Sequence, residues 1–325
     1  MTHMPQDLQR ALNEVLGSIR PGVLIPVVER LTTRYRRGDV PTRPILSTPE
    51  DAIAYASYRM PATYAAVRNG LARLAALCPD FRPRTLLDVG GGTGAAVWAA
   101  AELWPGLASA VVLEQSEPVI SMGQRLATGS EMPVVRQARW TCTTLAQSTT
   151  LPSADLAVMS YVLGELPEAA RKALVPELAR AATVVALFEP GTPAGYERIV
   201  AARTELISQG MTIAVPCPHD RPCPITLGAD WCHFAARVHR TSVHRQVKAA
   251  TLGYEDEKFS YVVGIRGEPV QVENRVVRHP LRKKGLVEFR LCTRNGELAN
   301  CTVSRRQGNV YRAARHADWG DAWPP

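Results

Sequence analysis

The sequence predicts an α/β fold in three consecutive parts: an N-terminal helical region over residues 1–80, a parallel sheet covered by helices over 81–215, and a smaller, basic, β-rich extension over 216–325. Three observations lead there. Short apolar strands alternate with helical patterns between residues 85 and 190, as a parallel sheet with covered faces requires. A glycine-rich turn joins the first of these strands to a helix. After Cys232 the pattern changes to strands separated by turn residues.

Leu8, Leu12, Val15, Leu16 and Ile19 follow helical spacing, as do Val27, Val28, Leu31 and Tyr35, with Pro21 and Gly22 between the two runs. "YASYRMPATYAAVRNGLARLAAL" continues as a helical stretch up to Pro79. "TLLDVGGGTGAAVWAAAELWP" is a strand, a glycine turn and a helix that stops at Pro105. "ASAVVLEQSEPVI" gives a second strand and a helix start, "ADLAVMSYVLGEL" a third strand and "ATVVALFEPG" a fourth, with "EAARKALVPELARA" helical between them. "FAARVHRTSVHRQVKAATLG" has the spacing of a basic helix. "KFSYVVGIRG", "NRVVRHP" and "LVEFRLCTRNGELANCTVSRR" follow as strands, with Asn295-Gly296 as a hairpin turn.

At 325 residues and 46% hydrophobic composition the chain can build a real core without staples. Its first residues carry acids and amides where a signal peptide has an apolar core, and no apolar run approaches ~18 residues, so a soluble, cytoplasmic protein is expected. Seven cysteines is an odd number, and in a reducing compartment clustered thiols point to metal and scattered ones to packing. Cys78 and Cys142 are scattered and read as packing residues. The net charge is +8, and it is polarised: residues 1–216 hold 20 Lys and Arg against 19 Asp and Glu, residues 217–325 hold 18 against 11. A basic C-terminal third suits a polyanionic partner or an Arg-rich solvated surface.

In "LLDVGGGTGAA", Asp88 closes the strand and Gly90, Gly92 and Gly94 alternate before the helix. Glycines there let the backbone turn sharply and approach a ligand at the helix N-terminus. Glu114, at the end of the next strand, is placed to accept hydrogen bonds from ribose hydroxyls. Gly90-x-Gly92-x-x-Ala95 satisfies the dinucleotide fingerprint, so a nicotinamide cofactor competes for the site. Asp88-x-Gly90-x-Gly92-x-Gly94 more closely resembles the first motif of class I S-adenosylmethionine methyltransferases, whose Rossmann-like sheet also follows a helical lead-in. A glycine turn between strand and helix needs no ligand at all. No catalytic residue is assigned. Where RNA methyltransferases that modify exocyclic nitrogens carry an Asn/Asp-Pro-Pro-aromatic tetrapeptide after the fourth strand, this sequence reads "SYVLGELP"; the tetrapeptide is absent, and the region offers no nucleophilic cysteine. Glu165 and Glu189 sit where an acid or base could act, although carboxylates at strand ends are usually solvated loop residues.

Cys217, Cys223 and Cys232 crowd into "PCPHDRPCPITLGADWCHF", and Cys292 and Cys301 are downstream candidates for a fourth ligand. Structural zinc favours ligand pairs with ~2 to 4 residues between them. The wider, uneven gaps here, with a proline directly after Cys217 and Cys223, suit a 4Fe-4S cluster better, while His219 and His233 keep a mixed Cys/His zinc site open. Three buried thiols in a proline-rich turn are the bland alternative.

Along nearly its whole length the chain resembles the methyltransferase-like assembly factors of the small ribosomal subunit, best known from mitochondria and with bacterial members. The matching stretches are "YASYRMPATYAAV", "LLDVGGGTGAA", "LFEPGTPAGYERIVAAR", "PCPHDRPCP", "WCHF", "VVRHP", "LCTRNGEL" and "YRAARHADWGDAW". The glycine loop is common to a superfamily, whereas Cys-Pro-His-x3-Cys-Pro followed by Trp-Cys-His-Phe is specific. The resemblance implies a class I methyltransferase fold with an appended domain and a 4Fe-4S cluster on Cys217, Cys223, Cys232 and Cys292, leaving Cys301 aside. It also implies binding to the small ribosomal subunit and its rRNA, with no membrane or DNA partner. Candidate phosphate contacts are Arg237, Arg240, Arg245, Lys248, Arg278, Arg282, Lys283, Lys284, Arg305 and Arg306. The expected function is thus rRNA-binding assembly with S-adenosylmethionine and a cluster as cofactors. The alternatives are an active S-adenosylmethionine-dependent rRNA methyltransferase, a structural-zinc RNA-binding protein, and an NAD-dependent or redox protein for which no second redox site is visible.

Overall fold

Period-two burial on both faces explains why the central strands read as continuous apolar runs. In the computed structural model, which describes residues 3–17, 21–37, 44–145, 150–239, 253–269 and 272–324, the strands β1 (Thr85–Val89), β2 (Ser109–Glu114), β3 (Arg139–Cys142), β4 (Ala154–Ser160) and β5 (Ala182–Pro190) are parallel. Leu86, Leu156, Val158, Val184 and Ala186 bury on one face, and Leu87, Ala157, Met159, Val185 and Leu187 on the other. Two covered faces remove the polar alternation of a half-solvated strand.

The first face packs against α1 (Gln6–Gly17), α4 (Met60–Leu77), α5 (Ala95–Leu103) and α6 (Glu117–Thr128), with the short α7 (Pro133–Arg136) at its rim. The second packs against α8 (Glu168–Ala181) and α9 (Pro193–Ser208). α2 (Pro21–Arg37) and α3 (Pro49–Tyr58) close a separate cluster around Leu24, Leu31 and Tyr58. The helical stretch around "YASYRMPATY" is two helices, α3 and α4, meeting at Arg59. Pro61 has no N–H to give back to the preceding turn, so the chain restarts there.

The sheet continues beyond residue 215. Strands β6 (Thr212–Val215), β7 (Phe234–His239) and β8 (Tyr254–Ile265) extend it to the order β3-β2-β1-β4-β5-β8-β6, with β7 paired to β8. β8 is antiparallel to β5, β6 and β7 alike. β8, expected from the sequence in the C-terminal extension, therefore belongs to the large sheet. The basic helix expected from Phe234 begins instead as a strand, with Phe234, Ala236 and Val238 buried and Arg237 and His239 outward. The remainder of that expected helix lies outside the described residues. β3 was not visible in the sequence, because four mostly exposed residues at a sheet edge carry no periodic signal.

A second, antiparallel sheet follows. β11 (Leu286–Thr293) pairs with β12 (Leu298–Ser304) along one edge, and with β10 (Leu281–Lys283) and then β9 (Asn274–Val276) along the other, β13 (Ala322–Trp323) flanking β9. Helix α10 (Asn309–His316) buries Ala314 against Val287, Phe289, Leu291 and Trp323. The Asn295-Gly296 hairpin turn forms as expected: Gly296 has φ +79° and its N–H donates to Thr293 O at 2.9 Å.

Candidate metal centre and cofactor cleft

The loop from β6 to β7 carries Cys217, Cys223 and Cys232, and β11 carries Cys292; all four line one cavity where the two sheets meet. The hairpin tip holds that arrangement. A Cβ on Gly296 would stand 3.2 Å from two carbons of Arg221 and 3.6 Å from His219, so a side chain there would press on the proline-rich loop, and the positive φ favours glycine as well. From below, Arg203 of α9 donates to His219 O at 2.6 Å and Arg221 O at 2.9 Å, and Asp220 accepts from Ile213 N at 2.7 Å.

His219 is buried, with Nδ1 3.1 Å from Arg221 O and Nε2 3.4 Å from Cys292 Sγ. Facing a carbonyl, Nδ1 carries the proton, so Nε2 accepts from the thiol. Burial, and then Arg203, push its imidazole below the ordinary histidine range and keep it neutral. His219 thus supports a cysteine. His233 stacks on Trp231 and meets Trp319 edge-on, and does not line the cavity.

Burial pushes the thiols of Cys217, Cys232 and Cys292 up and the neighbouring cysteines add to it, while Arg203 and Arg275 pull Cys217 and Cys292 part of the way back. Arg203 and Arg275, which are 4% and 5% exposed, line the same cavity, and among the described residues no carboxylate does. Two buried guanidiniums facing neutral thiols lack a counter-charge, which is costly in a low-dielectric site. Among the described residues no three Cys, His, Asp or Glu side chains are grouped so as to hold a metal ion. The donor chemistry, four thiols opposite two buried cations, fits a thiolate-ligated centre that carries net negative charge. Cys301 pairs with Phe289 on β12 and is not in the cavity.

The second site lies at the C-terminal ends of β1 and β2. Gly90, Gly92 and Gly94 have φ of +65°, +57° and +83°, and a Cβ on Gly90 would come within 2.5 Å of Val162. Asp88 is fully buried, neither carboxylate oxygen has a partner, and burial followed by Glu114 pushes it up to about 8. Glu114 accepts from Gly92 N at 3.1 Å, Gln115 N at 2.8 Å and Ser116 N at 3.0 Å; burial raises it and these amides pull it back. Glu165, in the turn after β4, is pushed up to about 8 by burial, then by Glu114 and Glu189. Glu189 is fully buried and paired with Arg198 at 2.6 Å, so neither Glu165 nor Glu189 is the solvated loop residue expected from the sequence. Three crowded carboxyl groups beside a glycine turn can receive a ligand with a cationic group and a ribose.

Two features of this cleft were missed in the sequence. Trp140 of β3 covers Gly94 and Gly123. Tyr161 follows β4 with φ +63°; its hydroxyl donates to Glu257 at 2.8 Å, and Arg59 lies over its ring at 4.5 Å while forking onto the same carboxylate at 2.8 and 3.0 Å. Neither has a local sequence signature, because each depends on residues on other elements of the fold: Gly94 and Gly123 for Trp140, Arg59 and Glu257 for Tyr161.

The basic candidates sort by partner. Arg237 forks onto Asp256, Arg278 holds Asp230, Lys283 holds Glu288, and Arg282 donates to Arg315 O and Ala317 O. Lys284, Arg305 and Arg306 are exposed and have no side-chain ion pair or hydrogen bond among the described residues. They share one end of the small sheet, where Arg305 N donates to Gly285 O at 2.8 Å. Arg240, Arg245 and Lys248 lie outside the described residues.

Residues 49–324 match the family described as "Mitochondrial small ribosomal subunit Rsm22". The chain belongs to the Rsm22 family. This Rsm22-family chain is 28% identical over 305 residues to the human ribosome assembly protein METTL17, mitochondrial, covering 84% of itself and 62% of that protein. It is 21% identical over 336 residues to the Rsm22-cox11 tandem protein 2, mitochondrial, of Schizosaccharomyces pombe, covering 85% of itself and 43% of that protein. The family member thus spans less than two thirds of either relative. Among solved structures, the magnesium protoporphyrin IX methyltransferase of Synechocystis PCC 6803 with bound SAH aligns at TM-score 0.42 and 15% identity, over 73% of this chain and 94% of that one. The strand order with β8 antiparallel beside β5 gives the Rsm22-family chain the class I methyltransferase sheet.

Proposed function

We propose that this chain is an assembly factor of the small ribosomal subunit. It grips rRNA with its basic C-terminal sheet, carries a 4Fe-4S cluster on Cys217, Cys223, Cys232 and Cys292, and takes S-adenosylmethionine at the glycine turn. The observation that carries this reading is the cavity: thiols from residue 217 to residue 292 share one wall system with two guanidiniums, and among the described residues no carboxylate lines it. Thiols arranged around a cavity suit a polynuclear centre better than a single ion. When bound, the cluster supplies an anionic cross-link between the proline-rich loop and β11. Arg203 and Arg275 offset its charge, and the glycine tip at residue 296 sets the approach of the two segments. At the other site the unpaired carboxyl of Asp88 and the carboxylate of Glu114 are suited to the ammonium and ribose of the cofactor.

The test replaces Cys217 and Cys223 with serine and measures iron content and co-sedimentation with small ribosomal subunits. Both are expected to fall; unchanged iron removes the cluster, and unchanged sedimentation removes its link to binding. Visible absorption of anaerobically purified protein separates a cluster from zinc. Calorimetry with S-adenosylmethionine and NAD identifies the nucleotide, and Gly92→Arg is expected to abolish the heat.

The left-handed backbone of Tyr161 favours a second reading, an active rRNA methyltransferase, since such residues cluster at active sites. It requires transfer of a labelled methyl group from S-adenosylmethionine to small-subunit RNA taken from a strain lacking the protein.

A further inference from the structure

Two buried donor atoms in the cysteine cavity have no acceptor within hydrogen-bond distance among the described residues. Arg203 commits its terminal nitrogen to two loop carbonyls, and its Nε, fully buried, has no acceptor. Tyr261 on β8 is 3% exposed, stacks on Phe188 at 5.6 Å, and its buried hydroxyl also lacks a partner. An unmet buried donor costs about 1–3 kcal/mol, and a charged one more. Such a cost is rare in a native interior unless something else supplies the acceptor. Both residues line the cavity of the four cysteines, which contains no carboxylate. In the same cavity Tyr196 already places its hydroxyl 3.0 Å from Cys223 Sγ, so a tyrosine-to-sulfur contact is realised there.

We propose that Arg203 Nε and the Tyr261 hydroxyl are hydrogen-bond donors to the sulfur atoms of the centre held by Cys217, Cys223, Cys232 and Cys292, and that together they raise its reduction potential. The inference rests on the cluster reading given above and adds to it the residues that tune the cluster. Reduction adds one negative charge to the centre, so donors and a nearby cation stabilise the reduced form more than the oxidised form. Arg203 reaches from α9 and Tyr261 from β8, both elements of the large sheet layer. The tuning residues therefore come from the methyltransferase-like part and the fourth thiol from the small sheet.

The experiment is a reductive titration of the anaerobically purified full chain, followed by electron paramagnetic resonance, with iron measured on each sample. Tyr261→Phe keeps the ring and removes the donor; Arg203→Lys keeps a charge and removes Nε. Tyr261→Phe is expected to retain the wild-type iron content and to shift the midpoint to more negative potential; Arg203→Lys also gives up the bonds to His219 O and Arg221 O, so its midpoint is read on the iron-loaded fraction and is expected to shift in the same direction. Wild-type protein without iron defeats the cluster reading, and this inference with it, before any variant is compared. Iron-loaded variants with unshifted midpoints overturn the tuning role alone and leave the cluster standing. Loss of iron from both variants with native circular dichroism also overturns it, since that outcome makes the two residues assembly determinants.

Discussion

Cys292 and Arg275 stand directly opposite each other across the β9–β11 pair. Directly opposed residues project from the same face of a sheet, so one ladder position brings a thiol and a guanidinium to the cavity together. Arg275 then donates from Nε to Pro216 O at 2.8 Å and from its terminal nitrogen to Gly320 O at 3.0 Å. Arg73 of α4 reaches the same Gly320 carbonyl and Trp319 O. One buried side chain thus joins the residue before Cys217, the strand opposite Cys292 and the C-terminal turn.

Arg275→Met is expected to remove two charge-assisted hydrogen bonds and to strand the Pro216 carbonyl, Gly320 O keeping its bond from Arg73, lowering stability by about 3 kcal/mol. Urea denaturation measures the loss, and limited proteolysis should show earlier cleavage near the C-terminus. Arg275→Lys should recover only part, because an ammonium cannot reproduce the guanidinium fork.

The two downstream cysteines separate ligand from bystander. Cys292→Ser is expected to lower iron content strongly. Cys301→Ser, one strand away and outside the cavity, is expected to leave it at the wild-type level and to cost no more than about 1 kcal/mol. Equal iron loss in both variants would contradict the assignment of Cys292.

Asp88 makes stability depend on pH in a definite direction. Its carboxyl is pushed up to about 8 in the native state, so between roughly pH 4 and 8 the folded chain holds a proton that the unfolded chain has released. Its contribution is fully present below that window and is lost as pH rises through it, by up to about 1.4 kcal/mol per unit. Denaturation midpoints without ligand should therefore fall from pH 6 to pH 8.5, and Asp88→Asn should flatten the decline. A cationic ligand favours the carboxylate, so its affinity should rise over the same window, by up to about tenfold per unit, and should lose that dependence in Asp88→Asn.

The parallel strands and the glycine turn were legible because each has a local cause. Leu86, Leu87 and Val89 are apolar since both faces are covered, and Gly90, Gly92 and Gly94 are glycine since each φ is positive. Strand β8 was legible as a strand and not in its place. "KFSYVVGIRG" has the right residues for either sheet, and only its pairing with Val184 to Pro190 decides which one. "FAARVH" alternates in burial, but it is six residues long and its text runs on into a longer basic stretch with helical spacing, which outweighs so short an alternation. At the cysteine cavity the thiols were visible as a cluster, while Arg203, Tyr261 and Arg275 were not. Each comes from a different element and lies among ordinary neighbours in the sequence, so only the tertiary fold shows that they share a space.

Of the cations singled out in the sequence, Arg282 is committed to carbonyls at the end of α10, whereas Lys284, Arg305 and Arg306 are exposed at one end of the small sheet. A phosphate contact releases counterions, and each one lost should reduce the slope of log affinity against log salt by about 0.7 to 0.9. The triple variant Lys284→Ala, Arg305→Ala, Arg306→Ala should therefore weaken binding to small-subunit RNA and flatten the slope by about 2 to 3, with thermal stability near wild type. Arg282→Ala should do the opposite, lowering stability with little change in slope. Filter binding at several salt concentrations, paired with melting curves, distinguishes the two, and an unchanged slope in the triple variant would place the RNA contact elsewhere on the chain.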